Sequence, residues 1–137
     1  NTIKQEHNIS YIYIMKSDGS FQSLLFPEET QDKNIDSFEK PYFSPNGKKI
    51  VFKRNNAGEL NSNSKIFIAD VENKDQIVLT ENKTEEDEPN CSKNNKKIAF
   101  ASNRDGNWEI YIMNVNGSKH IRLTNDSAND RYPTFSP

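Results

Sequence analysis

Apolar residues along this chain come in short bursts separated by polar stretches. Ile12-Tyr-Ile-Met15, Ile66-Phe-Ile-Ala69 and Ile110-Tyr-Ile-Met113 are three versions of one segment. Each leads through a turn to a second short burst: Ser23-Leu-Leu-Phe26, Ile77-Val-Leu-Thr80 or Ile121-Arg-Leu-Thr124. The first kind of segment is apolar on successive residues. A half-exposed strand would alternate, so the pattern predicts a strand covered on both faces. No stretch shows a helical period with caps.

A second anchor lies between these bursts. Lys40-Pro-Tyr-Phe-Ser-Pro-Asn-Gly-Lys-Lys-Ile-Val-Phe52 aligns with Glu88-Pro-Asn-Cys-Ser-Lys-Asn-Asn-Lys-Lys-Ile-Ala-Phe100, and a third copy starts at Tyr132-Pro-Thr-Phe-Ser-Pro137. The prolines Pro41, Pro89 and Pro133 stand 48 and 44 residues apart. Each repeat reads as four strands. The first lies around Phe43 or Phe135, and the second spans Lys49–Phe52 or Lys97–Ala101. The third and fourth are the two apolar bursts. Asn46-Gly47 predicts a two-residue hairpin, because both residues tolerate positive φ. Asp18-Gly19 and Asn116-Gly117 mark the turn before the fourth strand. Four strands every ~40–50 residues is the period of a β-propeller blade. An open β-solenoid usually has shorter periods.

Composition changes this picture only at first sight. Hydrophobic residues are 32% of 137 and mean hydropathy is −0.96. Ordinary domains carry roughly 45–50% apolar residues, so the bulk figure leans toward disorder. The 8 Phe and 5 Tyr, many Ile and a net charge of only −2 oppose it. No run approaches the ~18–20 residues of a membrane span, so membrane insertion is not expected. No secretory leader is visible, and Asn1 opens the chain, which suggests a processed or trimmed product. One Cys excludes an internal disulfide framework. A pI of 5.7 argues against a nucleic-acid binder.

The repeat also resembles a known family. The TolB-type propeller repeat reads x-P-x-F/W-S-P-D-G-K-x-I-A-F-x-S-x-R-D-G-x-x-E-I-Y-V-M, then D-G and L-T. Lys97-Ile-Ala-Phe-Ala-Ser-Asn-Arg-Asp-Gly-Asn-Trp-Glu-Ile-Tyr-Ile-Met113 is similar throughout, and Ile121-Arg-Leu-Thr124 closes it. The second repeat departs at Lys53–Ser64, an Asn-rich insertion. The resemblance covers about residues 10–137. It implies a ring of six or more blades, a periplasmic or extracellular location and a non-enzymatic, protein-binding role. Related repeats also precede the hydrolase domain of prolyl-oligopeptidase-like peptidases, so the alternatives are a propeller fragment of a larger enzyme and a propeller with a channel-bound metal.

A period of 44–48 divides the chain into about three blades. Blade one spans about 1–29 plus a strand from elsewhere, blade two about 40–82 and blade three about 88–126. The first strand of a further blade falls at 131–137. Three blades do not close comfortably. Either a longer chain completes the ring, or two copies join head to tail as a homodimer with six blades.

Candidate chemistry is sparse. His7 and His120 lie outside the anchors, and no Gly-x-Ser-x-Gly elbow occurs. Cys91 replaces the Phe of its sibling repeats and reads as a small buried hydrophobe. Ser102–Trp108 fails the sialidase Asp-box spacing, and Asp105-Gly106 reads as a turn. Glu85–Glu88 and Asp126–Asp130 carry hard oxygens that suit Ca²⁺ but lack EF-hand spacing. No other cofactor is expected.

Charge is more informative. The inter-blade segments hold Glu28, Glu29, Asp32, Asp36, Glu39, Glu81, Glu85, Glu86, Asp87, Glu88, Asp126 and Asp130, against Lys33, Lys40, Lys83 and Arg131. The opposite hairpins carry Lys48, Lys49, Lys96 and Lys97 without acids. Repetition would gather like charges on one rim, as a steering surface for a basic peptide, protein segment or cation. The expected binding residues are Glu85, Glu86, Asp87, Glu88, Asn103, Arg104, Asp105, Asp126, Asp130 and Arg131. Trp108 is expected to pack between blades or to make a rim contact.

Overall fold

The computed structural model describes residues 10–26, 37–55, 63–81 and 83–136. These form three antiparallel sheets and no helix. Blade one is a two-stranded pair, β1 (Ile12–Ile14) and β2 (Ser23–Phe26). Blade two contains β3 (Ser37–Phe43), β4 (Lys49–Asn55), β5 (Lys65–Asp70) and β6 (Gln76–Val78). Blade three contains β7 (Glu86–Cys91), β8 (Lys97–Ser102), β9 (Glu109–Asn114) and β10 (Ile121–Arg122). Strand order follows the chain within each four-stranded sheet. Residues 1–9 of the expected first blade, and Glu28, Glu29, Asp32, Lys33 and Asp36, lie outside the described residues, as does most of the Asn-rich insertion.

The doubly apolar strand of blade two, β5, does what its pattern requires. Ile66 and Ile68 of β5 join Val51 and Leu79 against Ile98, Phe100, Tyr111 and Met113 of blade three. Phe67 and Ala69 point the other way, into a core of Ile12, Leu25, Phe26, Phe38, Ile50 and Phe52. That core is aromatic: Phe26 lies 5.3 Å from Phe52 and 5.8 Å from Phe38, ring centre to ring centre. Burying such a side chain contributes roughly 1.5–3 kcal/mol. The apolar residues that are buried are concentrated in these two clusters, at repeated positions of the strands.

The repeats also share polar details. The first-to-second-strand hairpins are wider than the two-residue turn the sequence suggests. The Ser44 N–H donates to the Lys49 carbonyl, leaving a four-residue loop, and Ser92 does the same with Lys97. The serine Oγ explains the difference: it accepts the Lys49 or Lys97 N–H at 2.9 Å and closes the wider loop itself. Thr80 and Thr124 each accept the N–H that opens their third strand, Ile66 and Ile110, at 2.9 Å. Successive blades are tied by one recurring bond. The N–H groups of Phe38, Glu86 and Asp130 donate to the carbonyls of Ser10, Ser64 and Trp108.

Candidate functional site

The first strands β3 and β7 lie side by side with the segment 131–136 beyond them, and each carries one irregularity. Lys40, Glu88 and Tyr132 have φ of 52°, 55° and 59°, and each precedes a proline. A residue before proline normally stays extended, and left-handed φ is uncommon without glycine. In β3 the irregularity is a bulge between Glu39 and Tyr42, and in β7 one between Asp87 and Asn90. Proline suits a bulge because it has no N–H to leave unpaired. The three proline steps line a shallow slot of about 250 Å³: Lys40-Pro41-Tyr42, Glu88-Pro89-Asn90 and Tyr132-Pro133. Tyr42 and Tyr132 are 41% and 71% exposed.

Charged side chains brace this wall. Lys53 bridges Glu39 at 3.6 Å and Asp87 at 3.3 Å. Arg131 reaches Asp87 at 2.9 Å and Glu88 at 3.0 Å, and its guanidinium lies 4.3 Å above the Trp108 ring. Glu88 Oε2 accepts the Tyr132 N–H at 2.7 Å. Its buried Oε1 has the Arg131 charge beside it but no hydrogen bond of proper geometry. The segment 131–136 pairs with no strand among the described residues.

The structure therefore corrects the picture of an acidic loop rim. Glu86, Asp87 and Glu88 lie in β7 rather than in a loop, at 0%, 5% and 8% exposure. Carboxylates stay charged at such depth only when paired. Glu86 takes both oxygens to Arg104, at 2.9 and 3.0 Å, and accepts Ser102 Oγ at 3.1 Å. Arg104 stacks 4.3 Å above Tyr111 and donates to His120 Nδ1 at 3.2 Å. Asp105 accepts from the Tyr111 hydroxyl and pairs with Arg122 at 3.3 Å. Burial first, and then that bond, push Tyr111 up to about 12. Asn103 accepts the Glu85 N–H at 2.9 Å, fastening the two loops together. Glu85 and Asp126 stay exposed. The Asp130 side chain is half-buried, and its N–H is the interblade tie. The lysine rim is not free of acids either, since Asp70 lies 4.0 Å from Lys49.

Other residues play parts the sequence did not suggest. Glu109 is fully buried and accepts from Thr124, Arg122 and Asn107. The Thr124 bond chiefly, with Arg122 and Asn107, holds its carboxyl down to about 2 against the opposing effect of burial. Cys91 is buried as expected, and burial pushes its thiol to about 11, which leaves it inert. Tyr42 and Tyr132 were legible only as neighbours of the repeating prolines, and Lys53 only as the start of the Asn-rich insertion. Among the described residues, no three His, Cys, Asp or Glu side chains converge as metal ligands.

Comparison with known proteins agrees with this architecture. The TolB β-propeller domain family matches residues 29–137. An uncharacterized protein of Agrobacterium fabrum is 28% identical over 134 residues, which cover 98% of this chain and 42% of that protein. A solved structure from Agrobacterium tumefaciens, described as a TolB, superposes with a TM-score of 0.73 at 27% identity, covering 95% of this chain and 43% of that one. TolB from Acinetobacter baumannii shares the fold at a TM-score of 0.67 and 24% identity, over 86% of this chain and 27% of that one. The chain thus spans less than half the length of these relatives.

Proposed function

We propose, from the premise that this chain belongs to the TolB β-propeller family, that it is a non-enzymatic module that binds a protein or peptide partner. The partner lies against the first-strand wall and the neighbouring loops. The observation that carries this reading is the slot where three repeats bring their proline steps together. Exposed Tyr42 and Tyr132 supply flat, rigid contact area at low entropic cost. Strained backbone recurring at one place in three repeats marks positions held for more than stability. The paired carboxylates of β7 stiffen the wall, and the exposed acids Glu85, Asp105 and Asp126 supply the charge that attracts a basic segment. Among the described residues no helix is long and apolar enough to cross a membrane. A periplasmic or extracellular location completes the proposal.

Titration with a Lys/Arg-rich peptide, read by the fluorescence of the single Trp108, tests it. Binding should weaken as salt rises. Tyr132→Ala should cost about tenfold in affinity, and Glu85→Lys with Asp126→Lys should cost a similar factor at low salt. Affinity untouched by all three substitutions would overturn the assignment.

A further inference from the structure

The hairpins opposite the interblade loops form a continuous face. In blade two the Val71 N–H donates to the Lys48 carbonyl at 3.0 Å, tying the β5–β6 hairpin to the β3–β4 hairpin, and Val115 repeats the bond on Lys96 in blade three. Between blades, the Asn46 N–H reaches Asn95 Oδ1 at 3.3 Å. Strand β1 starts at the loop side, where Ser10 accepts the Phe38 N–H, so the β1–β2 hairpin opens on this same face. Blades stack sheet against sheet, whereas hairpins lie at the strand ends. Blades added on either side would therefore lengthen this face and not cover it.

The charge on the face is uneven. The two hairpins of blade three carry Lys93, Lys96, Lys97 and Lys119 and no acid, and all but Lys97 are exposed. In blade two, Lys48, Lys49 and Lys74 stand among Asp70, Glu72 and Asp75, and in blade one Lys16 is near Asp18. Asp18 and Asp70 are engaged by their own turns, accepting the N–H groups of Ser20 and of Glu72 and Asn73. The surplus is positive and lies on blade three, while the exposed acids Glu85, Asp105 and Asp126 lie on the opposite loops.

Phe21 gives the face an apolar tip. It is 75% exposed and has φ of 55°, a backbone state that a bulky side chain rarely adopts. The Lys16 ammonium lies 3.8 Å above its ring. The Lys16 N–H donates to the Ser20 carbonyl as the Asn114 N–H does to that of Ser118, so Phe21 is the counterpart of Lys119, with Asp75 in that place in blade two. Lys119 and Asp75 are exposed although a preceding blade is packed against each of their sheets. Exposure thus belongs to the position and does not depend on where the polypeptide begins.

We propose that this face docks on the surface of a bilayer rich in anionic phospholipid. The lysines of blade three draw the face to the headgroups. Phe21 enters the boundary between headgroups and acyl chains, with Lys16 at the phosphates, as aromatic and basic residues do at membrane interfaces. The chain lies on the membrane without crossing it. A nucleic acid or an acidic protein would use the lysines but would leave the bare Phe21 ring without a role, which favours the bilayer. Docked this way, the molecule turns its acidic loops toward water.

Flotation with vesicles of phosphatidylcholine, alone or mixed with phosphatidylglycerol, tests this. Binding is expected to the anionic vesicles only, and it should weaken as salt rises. Lys93→Glu with Lys96→Glu should cost about a hundredfold in affinity. Phe21→Ser should cost about fivefold to tenfold. In Phe21→Trp, brominated acyl chains should quench the new indole, whereas Trp108 of the parent chain, on the loop side, should keep its emission. The substituted positions are exposed, so each variant should melt as the parent does. Equal binding to neutral and anionic vesicles, or binding to neither, would overturn the proposal. So would affinity unmoved by the lysine reversals, or quenching of Trp108 in place of the new indole. Loss at the lysines with none at Phe21→Ser, together with heparin bound as tightly as vesicles, would assign the face to a polyanion instead.

Discussion

Blade two and blade three begin their first strands on the same backbone bond and fill the adjoining space in opposite ways. In blade two the position is Phe38, whose ring stacks on Phe26 and lies 5.7 Å from that of Phe52. In blade three it is Glu86, fully buried and held by Arg104 and Ser102. An arginine lies over aromatic rings in both cases. Arg54 stands 5.3 and 4.9 Å from Phe38 and Phe67, and Arg104 stands 5.5 and 4.3 Å from Phe100 and Tyr111. The two arginines come from non-equivalent positions, Arg54 on β4 and Arg104 in the loop after β8. The repeat thus conserves a layer, a cation over two rings, rather than a residue. In blade three the layer also holds a buried carboxylate, Glu86, against its arginine.

The sharpest way to break the comparison is a pair of double-mutant cycles read by chemical denaturation. Glu86→Ala should cost about 3–5 kcal/mol, because it leaves Arg104 without its buried partner. Phe38→Ala should cost a similar amount through lost packing. The cycles separate the causes. Glu86 and Arg104 should couple by more than about 1 kcal/mol, whereas Phe38 and Arg54 should couple by only about 0.5–1 kcal/mol, the range of a cation–π contact. Equal coupling would erase the distinction.

A smaller effect is expected at Cys91. Its twin Phe43 is 44% exposed, whereas Cys91 is 4% exposed within the core between blades two and three. Restoring the sibling residue, Cys91→Phe, should destabilise by about 1–3 kcal/mol through overpacking. A neutral or stabilising result would mean that blade three tolerates blade two's pattern.

The smallest expected effect is the pH response of Glu109, for which blade two has Lys65. The carboxyl ordinarily titrates near 4.5 and is held down to about 2. Its contribution is therefore complete above pH 4.5 and is lost as pH falls toward 2. Unfolding midpoints of the parent chain and Glu109→Gln should differ at pH 6 and converge by about pH 2. A constant gap would show that Glu109 acts through shape and not charge.

Much of the fold was legible because its signals are local. Doubly apolar bursts such as Ile66–Ala69 need no partner to announce a strand buried on both faces, and the spacing of Pro41, Pro89 and Pro133 carries the repeat. The candidate site was less legible. Glu85–Glu88 reads as a solvated acidic run because its neutralising cations lie far away in sequence: Lys53 from blade two, Arg104 from the next loop and Arg131 from the following repeat. The wider hairpins at Ser44 and Ser92 were missed for a related reason, since a side-chain oxygen there replaces backbone turn geometry.

By itself the chain determined its strands, their period and the family they belong to, since these depend on residue types at fixed spacing. Tertiary structure alone decided which charges face water. Asp87 and Glu88 are buried beside Arg131, which the stacking of blades brings to 2.9 and 3.0 Å, and no local pattern encodes those distances. It also decided which apolar faces are satisfied. Tyr13 and Tyr111 are the same residue in the same motif, and only the presence of a neighbouring blade separates 63% exposure from 5%.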